Sequence, residues 1–176
     1  MKKVILLGMI VLFSMSFVNA QQITVGGGLA YGTDIQKAGI TLNGQYFFSE
    51  KFAAAPSFIF YFPEKNSYSN SGFNTEAKSS VWEFNADVNY YFFSNDVVKF
   101  YGEGGLNITT ARSKVKSSGN GFNQTQKVSD TEAGLNLGVG ADFKAGDKLI
   151  PFVSMKYTVS NFDQLVIRGG IRFLLN

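Results

Sequence analysis

Trp82-Glu83-Phe84-Asn85-Ala86-Asp87-Val88-Asn89-Tyr90-Tyr91-Phe92 is the stretch whose reading decides the fold. Its even-numbered residues are all apolar, and its odd-numbered residues run Glu, Asn, Asp, Asn before ending on Tyr91. A repeat of two belongs to a β-strand, where successive side chains point to opposite faces. At helical spacing the same residues would scatter the apolar side chains around the axis.

The alternation recurs on both sides of this segment, over 22–31, 40–48, 52–62, 98–109, 132–143, 151–159 and 165–175. That predicts eight strands of about ten residues, the length a tilted strand needs to cross a bilayer. One face of the set is formed by residues such as Leu29, Leu42, Phe58, Phe84, Leu106, Leu137, Met155 and Ile171. None of its 45 positions is charged, although at the chain's 16% charged composition about seven would be by chance. The opposite face carries Glu83, Asp87, Lys99, Glu103, Glu132, Asp142, Lys156, Arg168 and Arg172, five acidic groups against four basic ones.

Two architectures use such strands. A secreted soluble barrel or sandwich would bury the apolar face and wet the charges. A membrane barrel inverts this, with lipid outside and a polar lumen inside. Three features favour inversion. The polar face is rich in Gly, Ala, Ser and Asn, which suit a narrow lumen. Its charges nearly cancel, as buried ion pairs require. Phe and Tyr cluster at strand ends, as in the aromatic girdles of membrane barrels. The expectation is therefore an all-β, eight-stranded antiparallel transmembrane barrel.

The N-terminus fits export. Lys2 and Lys3 precede an apolar run from Val4 to Val18, and Val18-Asn19-Ala20 places small residues at −3 and −1. This reads as a secretory signal peptide over 1–20 with cleavage after Ala20, leaving a barrel domain over 21–176. The run is shorter than the roughly 20 residues a spanning helix needs.

The connections alternate in length. Phe48–Phe52, Phe93–Val97 and Lys144–Lys148 read as tight turns. Gly32–Gly39, Pro63–Ser80, Thr110–Thr131 and Ser160–Gln164 read as loops on the other side, the second and third of them long. Short periplasmic turns and long external loops are the outer-membrane pattern. The two long loops share a fragment, Gly72-Phe73-Asn74-Thr75 and Gly121-Phe122-Asn123-Gln124, which reads as common turn composition. The second also holds Arg112, Lys114, Lys116 and Lys127, candidates for contact with lipopolysaccharide phosphates.

On the Tyr-Phe-Phe-Ser turns (Tyr46–Ser49 and Tyr91–Ser94) and the last strand, the chain resembles small eight-stranded outer-membrane barrels of the OmpA/OmpX type. More closely, it resembles the outer membrane protein beta-barrel domain proteins common in Bacteroidetes. The resemblance implies a C-terminal assembly signal at Arg168, Gly170, Phe173 and Leu175, read by the barrel-assembly machinery. The chain departs from many relatives by ending on Asn176 instead of an aromatic residue.

The same residues limit the chemistry. The chain has no Cys and no His. That removes disulfides, thiol catalysis, the commonest general base and the commonest transition-metal ligand. A net charge of +3 on 176 residues makes no nucleic-acid footprint. No calcium-loop or phosphate-loop motif is present. Carboxylate pairs on the polar face (Glu83 with Asp87, Glu103 with Glu132) read as members of a structural charge network, with no catalytic residue, metal or cofactor expected. The expected role is structural, adhesive or surface-interacting through the long loops, with unidentified surface or envelope partners. The alternatives are a narrow pore for small solutes or ions, and the secreted soluble binder. The expected location is the outer membrane of a Gram-negative bacterium.

Overall fold

The computed structural model describes residues 22–175, apart from 71–72 and 120–121. The signal peptide expected over 1–20 lies outside the described residues. Strands follow one another as β1 Ile23–Gly32, β2 Lys37–Phe47, β3 Phe52–Tyr61, β4 Glu64–Asn70, β5 Phe73–Ser94, β6 Val98–Gly119, β7 Phe122–Phe143, β8 Leu149–Val159 and β9 Gln164–Leu174. Apart from β3 and β4, successive strands pair antiparallel, and β9 returns to β1. β3 and β4 both lie on β5, one after the other, with the break at Phe62-Pro63, so they form a single stave. Proline has no N–H to give a ladder, which explains why the stave divides there. The result is a closed eight-stave barrel without sheet edges around its waist.

The tight turns fall where the sequence places them, between β2 and β3, β5 and β6, and β7 and β8. Asn95 closes the second, its Oδ1 accepting from the N–H groups of Val97 (2.9 Å) and Val98 (2.7 Å). Asp34 ties the β1–β2 connection to β9. Its Oδ2 accepts from the Leu165 N–H at 3.0 Å and the Thr33 hydroxyl at 3.1 Å. These bonds, the Leu165 amide first, hold its carboxyl below the ordinary value. A lowered folded-state pKa stabilises above the unfolded value and loses that contribution as pH falls through the folded one. Asp34→Ala should therefore speed amide exchange at Leu165 at pH 6. The wild type should approach the variant only well below about pH 3.9.

The long external connections are corrected by the structure. Residues 63–80 and 110–131 are mostly strand, not loop. β5, β6 and β7 are each 22 residues long, about twice β1 or β8. β7 pairs with β8 only from Leu135 onward. Above that level β4, β5, β6 and the first half of β7 stand clear as a four-stranded sheet. It rises roughly 25 Å along the strand direction beyond Val81.

The faces invert as a membrane barrel requires. Leu29, Leu42, Leu106, Leu135 and Leu137 are all more than 60% exposed, while Glu83 and Lys156 are 1% exposed. The apolar face is the exterior, which corrects the soluble alternative. Exterior rings pair near both ends of the wall: Phe58 with Trp82 toward the projecting sheet, and Phe52 with Tyr90 and Phe93 with Phe100 at the turn side.

Candidate functional site

Two places hold concentrated polar chemistry: the lumen and the projecting sheet. The lumen is built from alternate residues of every stave, so its contents are dictated by the strand repeat. At the sheet end, Ala30, Ile59, Tyr61, Val81 and Val166 pack into an apolar cap. Beneath it, Glu83 accepts from the Tyr61 hydroxyl (2.9 Å) and the Gln164 amide (3.0 Å). Asn107 donates to Asn85 at 2.7 Å, and Thr109 donates to Asn107.

The next layer centres on Asp87 and Asn136. The Asn136 amide donates to Asp87 Oδ1 (2.7 Å) and Asn85 Oδ1 (2.9 Å), and Thr158 donates to Asn136. Lys156 Nζ stands 3.6 Å from Asp87 Oδ2, an ion pair just beyond hydrogen-bond reach. Arg168 crosses the lumen to Glu103, donating from one nitrogen to both carboxylate oxygens at 2.7 and 2.6 Å. Its remaining nitrogens reach Ser154 (3.0 Å) and Ser57 (3.2 Å).

Toward the turn side, Arg172 pairs with Asp142, whose other oxygen accepts from the Tyr91 hydroxyl at 2.8 Å. Arg172 also lies over the Phe152 ring, 4.4 Å from its centroid. Ala53, Tyr91 and Tyr101 make a second apolar cluster at this level. A vestibule of about 480 Å³, lined by Gln45, Phe47, Lys99, Asp142 and the turn residues, opens beyond it.

Seven of the nine charged residues named from sequence thus lie buried in the lumen: Glu83, Asp87, Glu103, Asp142, Lys156, Arg168 and Arg172. The other two do not join them. Lys99 is exposed in the vestibule, 5.9 Å from the Phe47 ring. Glu132 sits at the opposite mouth, accepting from Asn161 at 3.0 Å. Lys99 lies at the turn-side end of β6, and Glu132 lies midway along β7, above the level where β8 begins to pair; at both places alternation still assigns a face but the barrel no longer encloses it. The sequence reading missed the Asn85–Asn107–Asn136 chain and Tyr61, Tyr91 and Gln164. Their lumenal parity was the available signal. Of the proposed assembly-signal residues, Arg168 is held by Glu103, Gly170 lies opposite Gly28, and Phe173 and Leu175 are more than half exposed.

The projecting sheet brings together residues far apart in sequence. Lys65 pairs with Lys78, Lys78 with Lys114, and Lys114 with Lys127, so one rung across four strands is all lysine. Arg112 lies one same-face rung toward the barrel and Lys116 one rung away from it. Lys78, Arg112, Lys114 and Lys127 line a shallow hollow of about 450 Å³. Arg112, Lys114, Lys116 and Lys127 are the sequence candidates; Lys65 and Lys78 were not anticipated, because only the register reveals them.

A closed barrel with an apolar exterior and an ion-paired interior is an integral protein of the outer membrane. The chain belongs to the outer membrane protein beta-barrel domain family, which matches residues 5–172, and its place is the Gram-negative outer membrane. Solved barrels share the fold. A major outer membrane protein of Thermus thermophilus is similar at TM-score 0.61 and 13% identity, covering 89% of this chain and 100% of that one. OprG from Pseudomonas aeruginosa is similar at 0.60 and 13%, covering 89% and 97%. The attachment invasion locus protein Ail of Yersinia pestis, in complex with the heparin analogue sucrose octasulfate, is similar at 0.55 and 18%, covering 88% and 96%. No curated protein matches the sequence.

Proposed function

We propose that the protein is a non-catalytic closed barrel that anchors a surface-interaction sheet outside the cell. The observation that carries this reading is the contrast between its two halves. Side chains fill the wall-enclosed lumen from the Val81 cap to the Asp142–Arg172 pair, while three strands run on for a second barrel's height into solvent. Lumenal carboxylates are engaged by tyrosine, amide or basic partners, and no histidine is present to activate a nucleophile.

The sheet has two open edges, one along β4 and one along the part of β7 beyond β8. Unpaired strand edges offer main-chain hydrogen bonds to an added strand. That supports a partner carrying an extended segment at the cell surface. Phe173 and Leu175, outward on the closing strand, are the side chains we assign to recognition during assembly.

The narrow-pore reading rests on lumenal polar atoms without a protein hydrogen bond, among them Asn43 Nδ2, Asn89 Oδ1 and Lys156 Nζ. The cavity beside Asn43, Asn89 and Arg168 is only about 10 Å³, room for one water and not for a continuous path. Residues 21–176 refolded into a planar bilayer, after a heat-modifiable gel shift shows folding, should give no single-channel steps. Reproducible conductance would replace this reading with the pore.

A further inference from the structure

We infer that the outward face of the projecting sheet binds the phosphate groups of glycolipid in the surrounding outer leaflet, through the rung Lys65–Lys78–Lys114–Lys127 with Arg112 and Lys116 beside it. The register places these residues together. The β5–β6 ladder runs without a shift from Phe73 to Tyr91, and the β6–β7 ladder runs unbroken over its whole length. Face parity is therefore preserved from the barrel wall to the sheet.

Reading up that one face, the rungs are Phe84–Ile108–Ala133, then Trp82–Thr110–Thr131, then Ser80–Arg112–Ser129, then the four lysines, then Ser67–Glu76–Lys116–Thr125. The surface passes from lipid-facing apolar residues through a tryptophan to a cationic band with no change of side. Lys78 is four residues beyond Trp82, about 14 Å along the strand. At an ordinary barrel tilt that is about 10 Å of height, the zone where headgroup phosphates sit above an aromatic girdle.

The charge is one-sided. The outward face carries Lys65, Lys78, Arg112, Lys114, Lys116 and Lys127 against the single carboxylate of Glu76. The other face of the projecting part contributes no basic side chain from these four strands, and holds Glu64 and Asp130. Among the described residues, none of the six basic groups makes an ion pair. Like charges directly opposite on neighbouring strands repel and destabilise the pairing. Three such pairs in a row, with Glu76 the single carboxylate on the face, are a device for external anions. Position selects the anion source. The band continues the lipid-contacting wall, so the nearest fixed phosphates are those of the leaflet itself. A conducting barrel would present the same rung, so this site does not depend on the closed lumen.

The test uses the refolded chain in nanodiscs and reads lysine acetylation rates by mass spectrometry. Adding diphosphorylated lipid A to phosphatidylcholine discs should slow acetylation of Lys65, Lys78, Lys114 and Lys127 at least fivefold. Lys51, Lys144 and Lys148 at the opposite end should be unaffected. Lipid A stripped of its phosphates should give no protection. The quadruple Lys→Gln variant, folded by its gel shift, should lose the rise in unfolding temperature that lipid A gives the wild type, and the quadruple Lys→Arg variant should keep it. Equal protection by the dephosphorylated lipid, no protection by lipid A, or protection by soluble heparin alone would each overturn the proposal; the last would assign the face to a polysulfated partner.

Discussion

Arg168→Met should destabilise the folded barrel by about 3–5 kcal/mol, the usual cost of removing one partner from a buried ion pair. Arg168 is 5% exposed and Glu103 4%. The substitution strands a carboxylate in the lumen and leaves the Ser57 and Ser154 hydroxyls without their donor. The pair itself is worth less than this loss suggests, because two charges were dehydrated to form it. Glu103→Gln combined with Arg168→Met should therefore recover most of the stability. Urea titration of the heat-modifiable form measures both. A loss under about 1 kcal/mol for the single variant would place the pair in the range of exposed salt bridges, and would mean that Glu103 is solvated by a wet lumen.

The second large effect is expected at the β1–β9 seam. Gly28 pairs directly with Gly170, and both face the lumen. A Cβ on Gly28 would fall onto the backbone of Gly169 and Gly170, and one on Gly170 onto that of Gly27 and Gly28. Backbone cannot turn aside as a flexible side chain can. Gly28→Val should leave little or no heat-modifiable protein, as severe overpacking at a fixed backbone predicts. Gly102 is the internal control. Nothing lies within 4 Å of a Cβ built there, so Gly102→Ala should change stability by no more than about 0.5 kcal/mol. Near-equal folding yields for Gly28→Val and Gly102→Ala would contradict the close-packed seam.

The barrel wall was legible in the sequence because burial and lipid exposure impose opposite demands on alternate residues. Leu106 and Asn107, side by side in the chain, end on opposite sides of the wall at 61% and 1% exposure. The projecting sheet was not legible for the converse reason. With water on both faces, Ser113, Lys114, Val115, Lys116 and Ser117 carry no apolar repeat, and polar strands read as loop. The lumenal network was legible as a set of charges but not as a set of partners. Parity told that Glu103 and Arg168 share a face; only the barrel's closure brings residues 65 positions apart into contact. Lys99 and Glu132 show the limit of parity, since it cannot say where enclosure ends. The lysine rung is the strongest case. Its four members come from four strands, and nothing local in any of them marks the alignment.

The absence of native cysteine permits a direct test of the orientation on which the functional reading rests. Thr125→Cys lies on the projecting sheet, and Asp96→Cys in the β5–β6 turn; both positions are exposed. Intact cells treated with a membrane-impermeant maleimide should label the cysteine at 125 and spare the one at 96, which should react only after the outer membrane is permeabilised. Labelling at 96 but not at 125 in intact cells, or at neither, would contradict a barrel that displays its sheet outside the cell.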